Sequence, residues 1–182
     1  GLANEIDPEF DAESVSVWQY EHPDPGRDAI RQASQLTHQA QQLLEQDQFN
    51  EASALLNQAS KLVPEMPSIQ FARAHLHTMY AVRWRARISP ETILEQHEYA
   101  DKAARKLLEL APNDPQAEIV AWTTRNNLAG DYFRTDPAKS RRMRNEVLAA
   151  ASALLERPGI NDVIKAEAYN LRAGAHAGLD QG

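Results

Sequence analysis

Cysteine is absent from these 182 residues. Disulfides and thiolate metal sites are therefore excluded, and the redox compartment stays open. There is no run of 18 apolar residues, so no membrane-spanning helix is expected. An initiator Met is missing as well. The chain begins at Gly1 without the apolar core of a signal peptide, and its first residues are expected to be a processing product or vector-derived. Glycines number only seven, and none forms a phosphate-cradling loop or a G-x-S-x-G turn. His97-Glu98 lacks the second His of a metalloprotease helix. His75 and His77 stand two apart, so a helix would point them to different faces. The carboxylates are scattered, with no pair placed for acid–base work. These gaps point away from catalysis and from any metal or cofactor.

A strongly basic body is also lacking, which argues against nucleic acid. The net charge is −7, and it is concentrated in one place. Residues 1–30 hold eight acids against Arg27 alone, whereas residues 31–182 balance 18 acids with 18 bases. Residues 1–23 therefore read as an acidic arm ahead of the folded part. Within it, Ser14–Tyr20 alternates in polarity, as an extended segment does.

The rest of the chain is organised around residues 33–66. Ala33, Leu36, Ala40, Leu43 and Leu44 recur at helical spacing on one face. Gln46-Asp47-Gln48 interrupts that period. Phe49, Ala52, Leu55, Leu56, Ala59 and Leu62 mark a second stripe, and Pro64 follows where a helix cannot continue. Small residues at Ala40, Ala52 and Ala59 allow close approach of the two helices, while Phe49 and Leu56 fill the space between them.

This stretch resembles a tetratricopeptide repeat, the 34-residue helix–turn–helix module. Counted from Ala33, the matches are Ala40, Leu43, Phe49, Ala52, Leu56, Ala59 and Pro64. The departures are Leu36 for the usual Trp, Gln39 for the usual Leu, and Asp47 for the usual turn Gly. Two longer versions follow. Pro112 and Pro158 each close an apolar helix as Pro64 does, and Ser89-Pro90 and Asp136-Pro137 read as caps with first-turn prolines. The expected helices cover about 25–46, 50–62, 67–87, 90–110, 115–134, 137–156 and 162–178. They group into units 25–66, 67–112 and 113–158 plus a final or capping helix. When the units are aligned on their prolines, Ala40, Ala74 and Ala121 are equivalent.

The resemblance implies an all-α, right-handed solenoid of antiparallel helix pairs, with about seven helices over residues 24–182. It also implies an inner face lined by the first helix of each pair. On this chain that face maps to Thr37, Gln41 and Leu44, then Phe71, His75 and Thr78, then Glu118, Trp122 and Arg125. The longer helices add Val82, Arg85, Ala129 and Tyr132. The modules that clamp Glu-Glu-Val-Asp chaperone tails carry Lys and Asn where Thr37 and Gln41 stand, so that particular clamp is not implied. Aromatic residues with arginine are the types that anchor interfaces.

Two basic clusters stand out from the neutral body: Arg83, Arg85 and Arg87 around Trp84, and Arg134, Lys139, Arg141, Arg142 and Arg144. Both fall near the joint of a helix pair. They suit an acidic peptide or a phosphate-rich ligand, and they are equally the solvated faces of long helices. The expected function is a non-catalytic protein–protein interaction scaffold holding a protein or peptide partner. Two rivals from other classes are a sensor or regulatory domain of a larger enzyme or transcriptional regulator, and a homo-oligomerising unit of a secretion or envelope complex. A soluble chain, cytoplasmic or periplasmic, fits this reading, and the Ala, Gln and Arg usage has a bacterial cast.

Overall fold

The computed structural model describes residues 25–180. Among these residues the chain forms seven helices and no strand. They are α1 Pro25–Glu45, α2 Phe49–Leu62, α3 Pro67–Trp84, α4 Pro90–Leu110, α5 Pro115–Tyr132, α6 Pro137–Glu156 and α7 Asp162–Asp180. The acidic arm and its expected extended segment lie outside the described residues.

The helix starts follow from proline and cap chemistry. Proline fixes φ near the helical value and lacks the N–H that a first turn leaves unsatisfied. Pro67, Pro90, Pro115 and Pro137 open α3 to α6 in this way. Side chains just ahead take up the orphan donors. Ser89 Oγ accepts from Thr92 N at 3.1 Å, Asp114 Oδ1 from Gln116 N at 2.9 Å, and Asp136 Oδ1 from Lys139 N at 2.9 Å. Asn161 Oδ1 accepts from Ile164 N at 2.9 Å and opens α7.

The turn between α1 and α2 is set by one residue in the left-handed region, Asp47, with φ of 59°. Gln48 N donates to Leu43 O at 2.9 Å and Asp47 N to Leu44 O at 3.1 Å. That pair of bonds is the Schellman closure of a helix. The short polar side chain of Asp47 tolerates this φ better than most.

Two helices stop earlier than their periodicity predicts. α3 ends at Trp84 and α5 at Tyr132. In both, the last turn tightens to a three-residue bond: Arg87 N donates to Trp84 O at 2.7 Å, and Phe133 N to Gly130 O at 3.3 Å. Arg85 and Phe133 keep right-handed helical angles, so the chain direction changes little there.

Each helix packs on the next in the chain. In addition α1 touches α3, α3 touches α5, and α5 touches α7. Helices α2, α4 and α6 make no comparable contact with one another, and α1 and α7 do not pack together. Alanine makes the close approaches possible. Ala40, Ala52 and Ala72 are buried beside Leu44, Leu56 and Leu76 at the joint of α1, α2 and α3, while Ala74, Ala103, Ala104 and Ala121 join α3, α4 and α5. Each fully buried leucine there contributes about 1.5–3 kcal/mol by leaving water.

Candidate functional site

Two grooves lie side by side, one over α3 between α2 and α4 and the other over α5 between α4 and α6. The first, of about 580 Å³, has Ser53, Leu56 and Asn57 of α2 on one side and Tyr99, Lys102, Ala103, Arg105, Lys106 and Glu109 of α4 on the other. Its floor is Gln70, Arg73, Leu76 and His77 of α3. The second groove, of about 570 Å³, lies between α4 and α6 over α5. Its α4 wall offers Glu98, Tyr99, Asp101, Lys102 and Arg105, its floor Arg125, Leu128 and Tyr132, and its far wall Lys139, Arg142, Met143 and Glu146. Tyr99, Lys102 and Arg105 line both, so one ridge of α4 divides them.

The spacing of the ridge explains its position. Residues 102, 105 and 106 are three and four apart and share a helical face. The residues between and beside them, Ala103, Ala104 and Leu107, turn into the core. Among the described residues Lys102 and Arg142 have no ion-pair partner, whereas Lys106 meets Glu65 at 3.5 Å and Glu109 at 3.4 Å. Together the grooves present seven bases (Arg73, Lys102, Arg105, Lys106, Arg125, Lys139, Arg142) and four acids (Glu98, Asp101, Glu109, Glu146). The described residues as a whole carry 19 bases and 19 acids, so the surplus is local to this side.

Two groups in the first groove are shifted by burial. Partial burial lowers the Arg73 guanidinium, whose Nη2 donates to Asn57 Oδ1 at 3.3 Å. Burial also lowers His77, partly offset by its bond to Gln96 and reinforced by nearby Arg73. His77 Nδ1 stands 2.8 Å from Gln96 Oε1, and the His77 ring lies 5.2 Å from that of Tyr99.

The second groove is built on a charge network. Asp101 is buried, with 1% exposure. Arg105 Nε approaches its Oδ2 at 3.1 Å and Arg125 Nη1 at 3.3 Å. Arg125 also donates through Nε and Nη2 to Glu146 Oε2, at 3.0 and 2.9 Å. Burial raises Asp101, against the opposing pull of Arg125 and Arg105. Farther along, Tyr132 Oη donates to Glu98 Oε1 at 2.5 Å, and Lys139 Nζ sits 3.6 Å over the Tyr132 ring. Behind it His97 pairs with Asp131, linking α4 to α5.

The residues expected on one inner face do not form one surface. Thr37, with 3% exposure, donates to Ala33 O at 2.7 Å inside the protein. Leu44 is fully buried against Ala72 and Leu76 of α3. Both leave the candidate site, because α3 packs on the stripe of α1 that the register had assigned to the groove; Ala129 leaves it too, buried with Leu128 against Met143 of α6. Gln41, Phe71 and Thr78 are half-buried, and His75 and Arg85 are exposed; none of these five lines either groove. Trp122 packs against Val147, Ala151, Leu171 and Ala175 of α6 and α7. Arg125 and Tyr132 do line the second groove.

The basic clusters also separate. In the first cluster Arg83 Nε donates to Asp47 Oδ1 at 2.8 Å and Arg87 covers the Trp84 ring at 5.2 Å, so these two serve local contacts, while Arg85 is exposed. The second divides across α6: Lys139 and Arg142 face the second groove, while Arg141 and Arg144 face away from it. Sequence reasoning missed Arg73, Lys102, Arg105 and Lys106. The one available signal was the 102–105–106 spacing, which a solvated helix face shares.

Among the described residues no cluster of His, Asp and Glu could hold a metal ion, and no helix is long and apolar enough to cross a membrane. No protein-family model, no curated protein and no solved structure matches the chain.

Proposed function

We propose that this protein is a non-catalytic binding scaffold, a stack of antiparallel tetratricopeptide-like helix pairs that holds an acidic peptide segment across the two grooves beside α4. The stacking is supported by contacts of α1 with α3, α3 with α5 and α5 with α7, the order that a right-handed solenoid of helix pairs requires. The turn residue Asp47, with its positive φ at the usual glycine position, agrees with the same module.

The observation that carries the functional reading is the local surplus of cations on a neutral body. Seven bases against four acids line two adjoining grooves that share the Tyr99, Lys102 and Arg105 ridge. Unpaired Lys102 and Arg142 can offer charge to a ligand without breaking an internal pair. Tyr99, 47% exposed, adds rigid apolar area between them. Such a surface steers acidic chains and fixes their register more than it supplies raw affinity.

The test is fluorescence anisotropy with a labelled Glu- and Asp-rich peptide containing one Trp. Saturable binding that weakens with salt is expected. Lys102→Glu with Arg142→Glu should lower affinity at least tenfold while thermal stability stays near wild type. Equal affinity of the two proteins would refute the groove as the binding surface.

A second reading, self-association through α7, is favoured by exposed Val163 and Tyr169 and by a hollow of about 660 Å³ between α6 and α7. A mass that rises with concentration in sedimentation would support it.

A further inference from the structure

Arg105 is tethered to a buried group yet open to solvent. It lines both grooves, and 62% of its side chain is exposed. Its Nε lies 3.1 Å from Oδ2 of Asp101, one turn earlier on α4. Among the described residues it pairs with no other carboxylate. Lys102, three residues before it on the same ridge, pairs with none.

Asp101 is the opposite case. It is 1% exposed, and Arg125 Nη1 reaches the same Oδ2 at 3.3 Å. Its Oδ1 meets no hydrogen-bond partner among the described residues. The guanidinia on Oδ2 therefore carry all the compensation for burying this charge. Arg125 is 24% exposed and also holds Glu146. Arg105 is the half of the arrangement that a ligand in either groove can reach.

The charges around Asp101 come from every helix packed near it. Glu98, Lys102 and Arg105 stand on α4 itself, Arg125 on α5, Arg142 and Glu146 on α6 across the second groove, and Arg73 and His77 on α3 in the first. Burial is the largest influence on Asp101 and raises it; Arg125 and Arg105 pull it down, and Glu146 adds to the rise. A further anion beside Arg105 tips this balance toward the protonated form. A ligand carboxylate there repels the Asp101 charge and takes a share of the guanidinium that offsets it.

We infer that Asp101 positions Arg105 as the ridge contact for a carboxylate of the ligand, and takes up a proton from water when that contact forms. The inference rests on the acidic-peptide reading of the grooves. Asp101 is a positioning residue, since it acts through Arg105 without touching the ligand. Coupling of this kind is reciprocal: the factor by which peptide favours protonation is the factor by which protonation favours peptide. The grooves therefore hold an acidic segment more tightly than an Asp101 kept ionised would allow.

The experiment titrates the side-chain carboxyl carbon of Asp101 by NMR in the carbon-labelled full chain, assigned through its own backbone, with and without saturating unlabelled acidic peptide. The midpoint should rise by about 0.7 pH unit, which is a coupling of roughly fivefold, the low end of the usual range. Anisotropy gives the reciprocal quantity. Asp101→Asn keeps an acceptor for Arg105 and removes the charge, so above the wild-type midpoint it should bind the peptide roughly fivefold more tightly than wild type. The gap should close as pH falls through that midpoint. The peptide loses its own charge alike against both proteins, so only the ratio is read. Asp101→Leu removes the acceptor as well and should lack the gain. Arg105→Gln should abolish the shift of the midpoint. A midpoint unmoved by peptide, or a shift that survives in Arg105→Gln, overturns the inference and leaves the groove reading standing. Tight binding by Asp101→Leu overturns the positioning role. Absence of saturable binding to wild type overturns the groove reading and this inference with it. If Asp101→Asn does not fold, the wild-type titration decides alone.

Discussion

Arg125 Nη1 lies 3.3 Å from Oδ2 of Asp101, a carboxylate that is almost wholly buried, while the rest of its fork holds Glu146. One guanidinium thus ties α4, α5 and α6 together beneath the second groove. Removing it with Arg125→Met leaves Asp101 with Arg105 alone. The expected loss is about 3 kcal/mol, the range for breaking a buried pair from one side, measured by urea unfolding. Asp101→Asn should cost less, since a neutral amide still accepts from Arg125 and needs no charge compensation. The double variant should cost less than the sum.

The same carboxylate predicts a pH signature. Burial raises Asp101 above its ordinary value, so the folded state holds its proton more tightly than the unfolded chain. Stability from this group is therefore lost as pH rises from the ordinary carboxylate range through the raised folded value. Asp101→Asn lacks that slope. Its stability relative to wild type should improve across that window and level off above it. A difference that stays flat with pH would show that Asp101 is not shifted.

His77 works in the opposite direction. Burial lowers it from 6.5, so folding favours the neutral ring. Its contribution is present above pH 6.5 and falls away as pH drops through the lowered folded value. His77→Gln should flatten stability over that range. Because His77 lines the first groove beside Arg73, an acidic peptide should also bind wild type more tightly as the pH is lowered. The variant should lose that gain.

Asp47 offers a test of the turn. Its φ of 59° suits glycine, and its carboxylate meets Arg83 at 2.8 Å on the surface. Glycine would relieve the backbone and forfeit an exposed ion pair worth up to about 1 kcal/mol. Asp47→Gly is expected within about 0.5 kcal/mol of wild type. Asp47→Val places a β-branched residue in the left-handed region and should cost at least about 1 kcal/mol. Equal stability of the two variants would mean that the turn does not constrain this residue.

How legible each feature was in the sequence depended on how local its cause is. Helix starts at Pro67, Pro90, Pro115 and Pro137 could be read because a first-turn proline and the cap before it act within four residues. The ends at Trp84 and Tyr132 were misplaced by two or three residues, since a tightened last turn leaves no mark on hydrophobic period. Thr37 and Leu44 were misassigned for a tertiary reason: seven residues apart, they lie along one stripe, and only the position of α3 decides whether that stripe is groove or core. Lys102, Arg105 and Lys106 look like any solvated helix face until α2 and α6 are seen flanking α4. The charge of Arg144 was visible, but its burial was not. That burial depends on Gly178, which is 34 positions away in the chain.

The last prediction concerns the acidic arm. Residues 1–24 carry seven acids and no base, and the remaining chain is balanced. The grooves beside α4 carry the local excess of cations. An intramolecular acidic segment would compete with an external one at an effective concentration set by its tether, near millimolar for a short flexible link. Deleting residues 1–23 should therefore raise affinity for the labelled acidic peptide, with the gain shrinking as salt screens both competitors. A synthetic peptide of residues 1–23 should compete in trans against the truncated protein, and less well when Trp18 and Tyr20 are replaced by Ala. The two controls separate charge from contact. If deletion changes nothing while Lys102→Glu with Arg142→Glu still abolishes binding, the grooves take acidic partners and the arm is not one of them.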